Sequence, residues 1–183
     1  GVYPNDPATQ QAVAEVAALD DRVSPVLLRD PGPTTKADCL NQVLGVIARD
    51  ETARGIRYEA IVMNDAEDLI PPLELRLFNL LIPRKDIVQL PVFPLPMKWW
   101  QLTAGHYMDE FASLHTRELP IREWLTGAVP SAGVGTGFSR RALDLAAASN
   151  DGQAFDETSL TEDYELTMRI SGKDVPEVFV IDP

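Results

Sequence analysis

The sequence lacks long apolar runs, which limits the classes of protein to which it can belong. No window reaches the ~18 consecutive apolar residues that a transmembrane helix requires, and no signal peptide opens the chain. The 183 residues are enough for one domain with a real core, and the composition, 45% hydrophobic and 24% charged, is ordinary for a soluble protein. Because the chain starts at Gly1, inside an expected strand and without an initiator methionine, we expect an excised domain.

Cysteine and positive charge are also scarce. The single Cys39 excludes an internal disulfide and an all-cysteine metal site, and it fits a reducing, cytoplasmic setting. The chain has 16 basic and 28 acidic residues, for a net charge of −12. Such a surface repels nucleic acid and anionic membranes, so no nucleic-acid partner is expected. A bound phosphate would therefore have to be held by metal ions and a few placed cations.

Two common enzyme motifs are missing. The glycine-rich stretch 133–137 is not a dinucleotide fingerprint, because Phe138 stands where the third glycine is required. No serine or cysteine nucleophile motif is present, and Cys39 is expected in the apolar part of a helix. Trp99-Trp100 offers a stacking face for a sugar ring, with core packing as the commoner alternative.

The order of the expected elements predicts an α/β fold with a mostly parallel sheet covered on both faces. Helices are expected at residues 7–19, 35–53, 71–81, 104–119 and 140–148 and from 162 onward, and strands at 23–28, 58–63, 86–93 and 175–181. In such sheets ligands bind beyond the carboxyl ends of the strands, where the loop 65–68 would lie.

The first of two acidic clusters follows the clearest buried strand. Asp65, Glu67 and Asp68 place three carboxylates within four residues. A bound Mg²⁺ or Mn²⁺ would relieve their repulsion, and diphosphate oxygens could complete its coordination shell. The alternative is a solvated loop in which Asp68 helps to cap the next helix.

The second cluster, Glu162 and Asp163, stands at the start of a predicted helix. Ser159 and Glu162 fit a capping box, which is the structural alternative to a functional role. Asp163 is not needed for that box, so it is the freer candidate for a general base. Lys36 is expected in a first helical turn, where the dipole disfavours a cation; this indicates a partner such as a phosphate, although a flexible surface lysine is commoner.

Five motifs in this order resemble the family 2 glycosyltransferases. They are Tyr3-Pro4-Asn5-Asp6, Thr35-Lys36-Ala37-Asp38-Cys39-Leu40-Asn41, Asp65-Ala66-Glu67-Asp68, residues 133–141 and Thr161-Glu162-Asp163-Tyr164. The resemblance covers nearly the whole chain and lies with the polymer-making branch that includes cellulose and hyaluronan synthases. Segments 74–79 and 131–136 resemble the glycosyltransferase domains of a bacteriophage-adsorption group, which are inner-membrane proteins of Gram-negative bacteria.

The resemblance implies a GT-A fold, a three-layer nucleotide-binding α/β domain. The fold would be truncated here at both ends, because the family's upstream strand and its Gln-x-x-Arg-Trp element are absent. It implies inverting, hexosyltransferase-type transfer from a nucleotide-diphosphate sugar, with a UDP-sugar expected, to a saccharide hydroxyl in polysaccharide synthesis. Residues 1–100 would hold the nucleotide sugar and metal, and residues 101–183 the acceptor and base. The soluble fragment would lie at the cytoplasmic face of the bacterial inner membrane, beside membrane segments of its parent protein.

The resemblance assigns the donor and metal roles to five residues. Asp6 would contact the uracil side of the donor, Lys36 its ribose or diphosphate, and Asp65 the nucleotide sugar. Glu67, with Asp68 and Asp65, would ligate Mg²⁺ or Mn²⁺. The family usually carries Asp where Glu67 stands, so the choice between Glu67 and Asp68 as ligand stays open.

The resemblance assigns the remaining roles to the second half of the chain. Asp163 would deprotonate the acceptor hydroxyl. Residues 133–139 match the segment that lines the acceptor in this family, so Thr136 and Ser139, together with Glu162, are expected acceptor contacts.

Two alternatives remain open at this point. One is a non-catalytic nucleotide-sugar-binding or phage-adsorption scaffold, which the departure at Glu67 motivates. The other is a sugar nucleotidyltransferase, which has a similar sheet and metal carboxylates but is not expected to carry Thr161-Glu162-Asp163.

Overall fold

The computed structural model describes residues 1–95 and 102–180, in which a central sheet has helices on both faces. Its strands are β1 (Ala60–Met63), β2 (Ile87–Gln89), β3 (Thr136–Ser139) and β4 (Glu177–Phe179). The helices are α1 (Pro7–Ala17), α2 (Lys36–Arg54), α3 (Glu74–Leu81), α4 (Leu102–Ser113), α5 (Leu119–Thr126), α6 (Arg140–Ala148) and α7 (Glu162–Ile170), and a π-helical turn (Leu114–Glu118) joins α4 to α5. No helix in this part of the chain is long and apolar enough to cross a membrane. Trp99-Trp100 lies outside the described residues.

The strand order is β1-β3-β2-β4, with β3 antiparallel to both of its neighbours and β2 parallel to β4. Three of the four strands therefore run in one direction, and the predicted α/β class is confirmed. The sheet has one reversed strand, β3, which makes two of the three pairings antiparallel. The sequence pattern did not predict this strand, because glycine is unfavourable inside strands and β3 contains Gly137 directly after the glycine-rich loop. Gly137 is required by packing: a Cβ there would collide with the ring of Phe78 on α3.

Alternating strand residues send apolar side chains to both faces of the sheet. Ile87 packs against the helices α2, α6 and α7, whereas its neighbour Val88 packs against α3. The first face includes Ala37, Met63, Ile87, Phe138, Ala142, Leu143, Leu166 and Ile170, and the second includes Phe78, Ile82, Val88, Leu90 and Val180. These two layers hold the sheet between helices, as the sequence pattern predicts.

Side-chain caps explain where α1, α2 and α6 begin. Asp6 caps α1 by accepting hydrogen bonds from the Thr9 amide at 3.1 Å and the Thr9 hydroxyl at 2.6 Å. Thr35 caps α2 by accepting from the Asp38 amide at 3.1 Å. The expected capping box at α7 is wrong: the Ser159 hydroxyl accepts from the Thr161 amide instead, and no side chain caps this helix.

Candidate active site

Three loops meet at one edge of the sheet. Residues 64–68 follow β1, residues 90–95 follow β2, and residues 131–135 precede β3. Because β3 is antiparallel to both neighbours, its first residue, Thr136, pairs with Met63 and Gln89, the last residues of β1 and β2. The Leu90 amide also donates to the Gly135 carbonyl at 2.9 Å. The topology therefore gathers the acidic loop and the glycine-rich loop at this edge.

Lys36 joins these two loops. It is the first residue of α2, and its Nζ donates to Asp65 Oδ1 at 2.5 Å and to the Gly133 carbonyl at 3.2 Å. The charge of Lys36 therefore has a partner, as its place in a first turn indicates, and in this structure the partner is a carboxylate. Both side chains remain about one-third exposed, at 37% and 34%, so a ligand can reach the pair.

Asp163 approaches the same point from α7. A Cβ added to Gly133 would lie 2.5 Å from Asp163 Oδ2 and 3.6 Å from Lys36 Nζ. The carboxylate thus packs directly against the backbone of Gly133, whose φ of +80° favours glycine. Asp163 forms no side-chain hydrogen bond or ion pair with another described residue, so its oxygens are available to a substrate. The sequence-predicted residues Lys36, Asp65 and Asp163 are brought together around this one glycine.

The turn 65–68 does not form a complete metal site by itself. The Asp68 amide donates to the Asp65 carbonyl at 3.2 Å, and Asp68 Oδ2 accepts from the Asp65 amide at 2.8 Å. Among the described residues, no group of three or more His, Cys, Asp or Glu side chains is arranged to hold a metal. Asp65 is paired with Lys36 in this structure, and the assignment of Asp65, Glu67 and Asp68 as metal ligands stays a prediction. Glu67 is exposed and has no partner within the described chain.

A cavity of about 680 Å³ opens beside this turn. Its acidic lining residues are Asp65, Glu67, Asp68 and Glu74. Apolar side chains supply most of the remaining wall, including Leu69, Ile70, Leu90, Val92, Phe93, Leu95, Met108 and Phe111. Ala132, Val134 and Gly135 of the glycine-rich loop supply a further part of the wall, and Asp163 is not among the described lining residues. The cavity has the size of a small-molecule site.

Sequence reasoning missed the buried Gln89, which holds the glycine-rich loop in place. Its amide nitrogen donates to the carbonyls of Leu90 at 2.8 Å and Val134 at 2.9 Å. Its amide oxygen accepts from the Ala132 amide at 2.9 Å and from the Thr136 hydroxyl at 2.7 Å. A polar residue inside a predicted buried strand is the one signal that could have found it.

Asn64, directly after β1, makes a second link that the sequence did not predict, to the glycine-rich loop and to α3. Its side chain accepts from the Gly135 amide at 3.1 Å and donates to Glu74 Oε1 at 2.9 Å. Glu74 is itself buried in the first turn of α3 and lines the cavity. Asn64 therefore fixes the acidic turn relative to the glycine-rich loop.

Two of the expected acceptor residues face inward, which corrects the prediction for both. Thr136 is 0% exposed, and its hydroxyl bonds to Gln89 and Ser131. Ser139 lies at the opposite end of β3, where it caps α6 and bonds to the buried Asp86. The direction of β3 carries Ser139 away from the site, whereas the hydroxyl of Thr136 is used by Gln89 and Ser131 inside the protein. Glu162 is buried next to Asp163, outside the described lining of the cavity, and its acceptor role stays a prediction.

Asp6 lies in a segment that is tied to the loop before α2. The Asn5 side chain exchanges two hydrogen bonds of 2.7 Å with the backbone of Gly32, and the Tyr3 and Thr34 hydroxyls bond at 3.0 Å. The hydrogen bonds from Thr9 hold the pKa of Asp6 below its usual value. The carboxylate serves as a helix cap here, and its contact with a nucleotide stays a prediction.

His115 supports the cavity wall from behind. It lies in the π-helical turn, fully buried, with its ring 4.6 Å from that of Phe111 and 6.1 Å from that of Phe179. Its Nδ1 accepts from the amide of the cavity residue Val92 at 3.4 Å, and its Nε2 has no hydrogen-bond partner among the described residues. Burial lowers the pKa of His115 to about 4. This histidine is therefore neutral when it packs behind the wall.

Comparison with known proteins gives a consistent result. Residues 60–180 match the family described as Glycosyl transferase family group 2. Over 183 residues, 100% of its length, the chain is 50% identical to bacteriophage adsorption protein B of Escherichia coli strain K12, of which it covers 25%. Bacteriophage N4 adsorption protein B of Escherichia coli O157:H7 gives the same identity and coverage. The chain thus spans about a quarter of the length of these curated relatives.

Proposed function

The chain belongs to the group 2 glycosyltransferase family, and from this premise we propose that it transfers a sugar from a nucleotide-diphosphate sugar to an acceptor hydroxyl. The donor is a UDP-sugar, and the anomeric carbon is inverted. The convergence of Lys36, Asp65 and Asp163 on Gly133 is the observation that carries this proposal. It puts a cation for a diphosphate and a carboxylate for proton transfer within one small space.

The proposed step needs one base and one stabilised leaving group. Asp163 takes the proton of the acceptor hydroxyl, and the oxygen forms a bond to the anomeric carbon. The bond from that carbon to the diphosphate oxygen breaks at the same time, and UDP leaves with the electron pair. Negative charge grows on the diphosphate, where the Lys36 ammonium stabilises it after exchanging part of its contact with Asp65.

A Mg²⁺ or Mn²⁺ ion would supply further neutralisation of the departing diphosphate when bound. The donor chemistry fits, because Mg²⁺ is commonly held by one or two carboxylates together with substrate phosphates. Glu67 is the favoured ligand, since it is exposed on the turn and has no partner within the described residues. Asp68 is the second candidate ligand. Its Oδ2 accepts from the Asp65 amide, and its Oδ1 is not used by that hydrogen bond.

We extend the proposal to the organisation of the chain and its setting. Residues 1–100 contribute Lys36, Asp65 and Glu67, which act on the donor and the metal. Residues 101–183 contribute Asp163, the base that acts on the acceptor. The half-buried Cys39 is a free thiol, as in a reducing compartment. The domain would act at the cytoplasmic face of an inner membrane, where a longer parent protein would make a polysaccharide.

Two measurements on this chain test the proposal. UDP should raise the melting temperature in the presence of Mn²⁺ and have a smaller effect without it. Asp163→Asn should keep that shift but lower sugar transfer, measured as UDP release, by about 10²–10⁴-fold, which is the usual contribution of a general base. Asp21→Asn, which changes an exposed carboxylate outside the described cavity lining, serves as the control.

The outcomes separate catalysis from a scaffold role. Binding of UDP without transfer, in this chain and in a protein of the relatives' full length, would favour a nucleotide-sugar-binding scaffold of the kind that the relatives' names suggest. Full transfer by Asp163→Asn would contradict the assigned base. The absence of any UDP-dependent shift would contradict the donor site itself.

A further inference from the structure

Charge divides the candidate active site into two sides at Asp65. On one side, Lys36 Nζ lies 2.5 Å from Asp65 Oδ1 and offers a cation to a phosphate. On the other side, the cavity is lined by Asp65, Glu67, Asp68 and Glu74, and none of its described lining residues is Lys, Arg or His. An anionic ligand therefore finds a matching charge on the Lys36 side, whereas the described lining of the cavity offers it no cationic side chain.

The outer walls of the cavity are apolar and open to solvent. Leu69 is 74% exposed, Phe93 60% and Leu95 59%, and Ile70 beside them is 53% exposed. Exposed apolar side chains grouped around one concave mouth indicate a surface that a ligand or partner covers. A ligand made only of sugar units would leave most of this wall in contact with water.

From these two observations we propose that the cavity binds an uncharged amphiphilic acceptor, a sugar that carries an alkyl or prenyl chain. The hydroxyls donate to the carboxylate of Glu74, the acidic lining residue that is assigned neither to the metal nor to Lys36, and the chain packs along the walls formed by residues 69–70 and 92–95. The inference rests on the proposed function, because Asp163 lies against Gly133, between two residues that line the cavity, Ala132 and Val134. The cavity and the candidate base therefore share the loop of residues 131–135.

Binding of short glycosides to the full chain tests the proposal without any donor. Isothermal titration below the micelle concentration would compare octyl glucoside, methyl glucoside and octyl sulfate. Each buried methylene strengthens binding by roughly fourfold, so octyl glucoside should bind at least about tenfold more tightly than methyl glucoside. Octyl sulfate should bind more weakly than octyl glucoside because the lining is acidic. Equal binding of the two glucosides, or a preference for the sulfate, would overturn the proposal.

Matched variants show whether the cavity is the binding site. The double variant Leu69→Ser with Phe93→Ser changes exposed residues, so it should fold, and it should lose most of the preference for the octyl chain. Leu19→Ser removes an exposed leucine (90%) that is not part of the cavity lining and should keep the preference. The same loss in both variants would mean surfactant adsorption and overturn the proposal. A dimer that only the double variant dissociates, with no ligand preference, would assign the walls to a second copy and also overturn it.

Transfer assays separate this inference from the proposed function. Efficient transfer to octyl glucoside, compared with unmodified oligosaccharides, supports both. Equal transfer to the two acceptors overturns the amphiphilic acceptor and leaves sugar transfer standing. Chain-length-dependent binding without transfer to any acceptor supports the ligand class but overturns the proposed reaction.

Discussion

Gly133 is the residue on which the geometry of the site most depends. Its φ of +80° lies in the left-handed region, and Asp163 Oδ2 occupies the space that a Cβ would need. Its carbonyl also accepts a hydrogen bond from Lys36. One residue therefore positions a carboxylate through the absence of a side chain and a cation through its backbone.

Gly133→Ala should displace Asp163 while leaving the fold intact. We expect a loss of about 1–2 kcal/mol in the free energy of unfolding from the left-handed backbone. Transfer should fall by about 10²-fold, because a shift of about 1 Å in a catalytic group has an effect of this size. Urea unfolding and UDP release measure the two quantities.

Gly172→Ala is the matched control for this change. Gly172 has the same φ of +80° but nothing within 4 Å of an added Cβ. Gly172→Ala should lower the free energy of unfolding by a similar amount and leave the rate of sugar transfer unchanged. If both variants lose transfer equally, the contact between Gly133 and Asp163 has no catalytic role.

At the scale of elements, the sequence predicts the bounds of the capped helices more accurately than it predicts the strands. Thr35 and its hydroxyl cap fix the start of α2 within one residue of the prediction, and α6 has the predicted bounds. The strand β3 escaped prediction because glycine occupies a position where Phe78 packs from another element. The predicted helix 104–119 is instead divided by the π-helical turn Leu114–Glu118. The packing of Phe78 against Gly137 is a tertiary contact, which a local sequence pattern does not contain.

The histidine in this π-helical turn should make stability depend on pH. The pKa of His115, about 4, lies below the ordinary value of 6.5 because the ring is buried. Between these values the unfolded chain binds a proton that the folded chain does not, so the free energy of unfolding falls as the pH is lowered. The expected loss is about 1.4 kcal/mol at pH 5.5 relative to pH 8. Urea unfolding across this range measures it.

His115→Gln should remove this contribution, and His106→Gln is its control. His106 is 77% exposed and pairs with Glu110 at 3.3 Å, so its replacement should leave the pH dependence in place. Burial raises the pKa of Glu177, which acts in the opposite direction. Glu177 is present in the wild type and both variants, so it cancels in the comparison. An unchanged slope in His115→Gln would show that His115 is hydrated or protonated in the folded chain.

At the scale of the whole molecule, the sequence predicts the residue types of the site better than their arrangement. Two acidic clusters and Lys36 could be selected from local patterns alone. Their meeting at Gly133 could not, since it requires β3 to run antiparallel and α7 to return to the start of that strand. The inward orientation of Thr136 has the same origin, because its hydroxyl is used by Gln89. Both features depend on contacts between residues that lie far apart in the sequence, which local patterns do not contain.

The net charge of −12 should make the stability of the whole fold depend on salt. Repulsion among the excess carboxylates opposes the compact state, and salt screens it as the Debye length falls from about 30 Å at 0.01 M to about 8 Å at 0.15 M. If this screening restores about 1 kcal/mol, the melting temperature at pH 7 should rise by about 2–4 °C over that range. The rise should vanish near the isoelectric point of about 4.5. A melting temperature that falls with NaCl at pH 7 would instead mean that ion pairs such as Arg140–Glu51 outweigh the general repulsion.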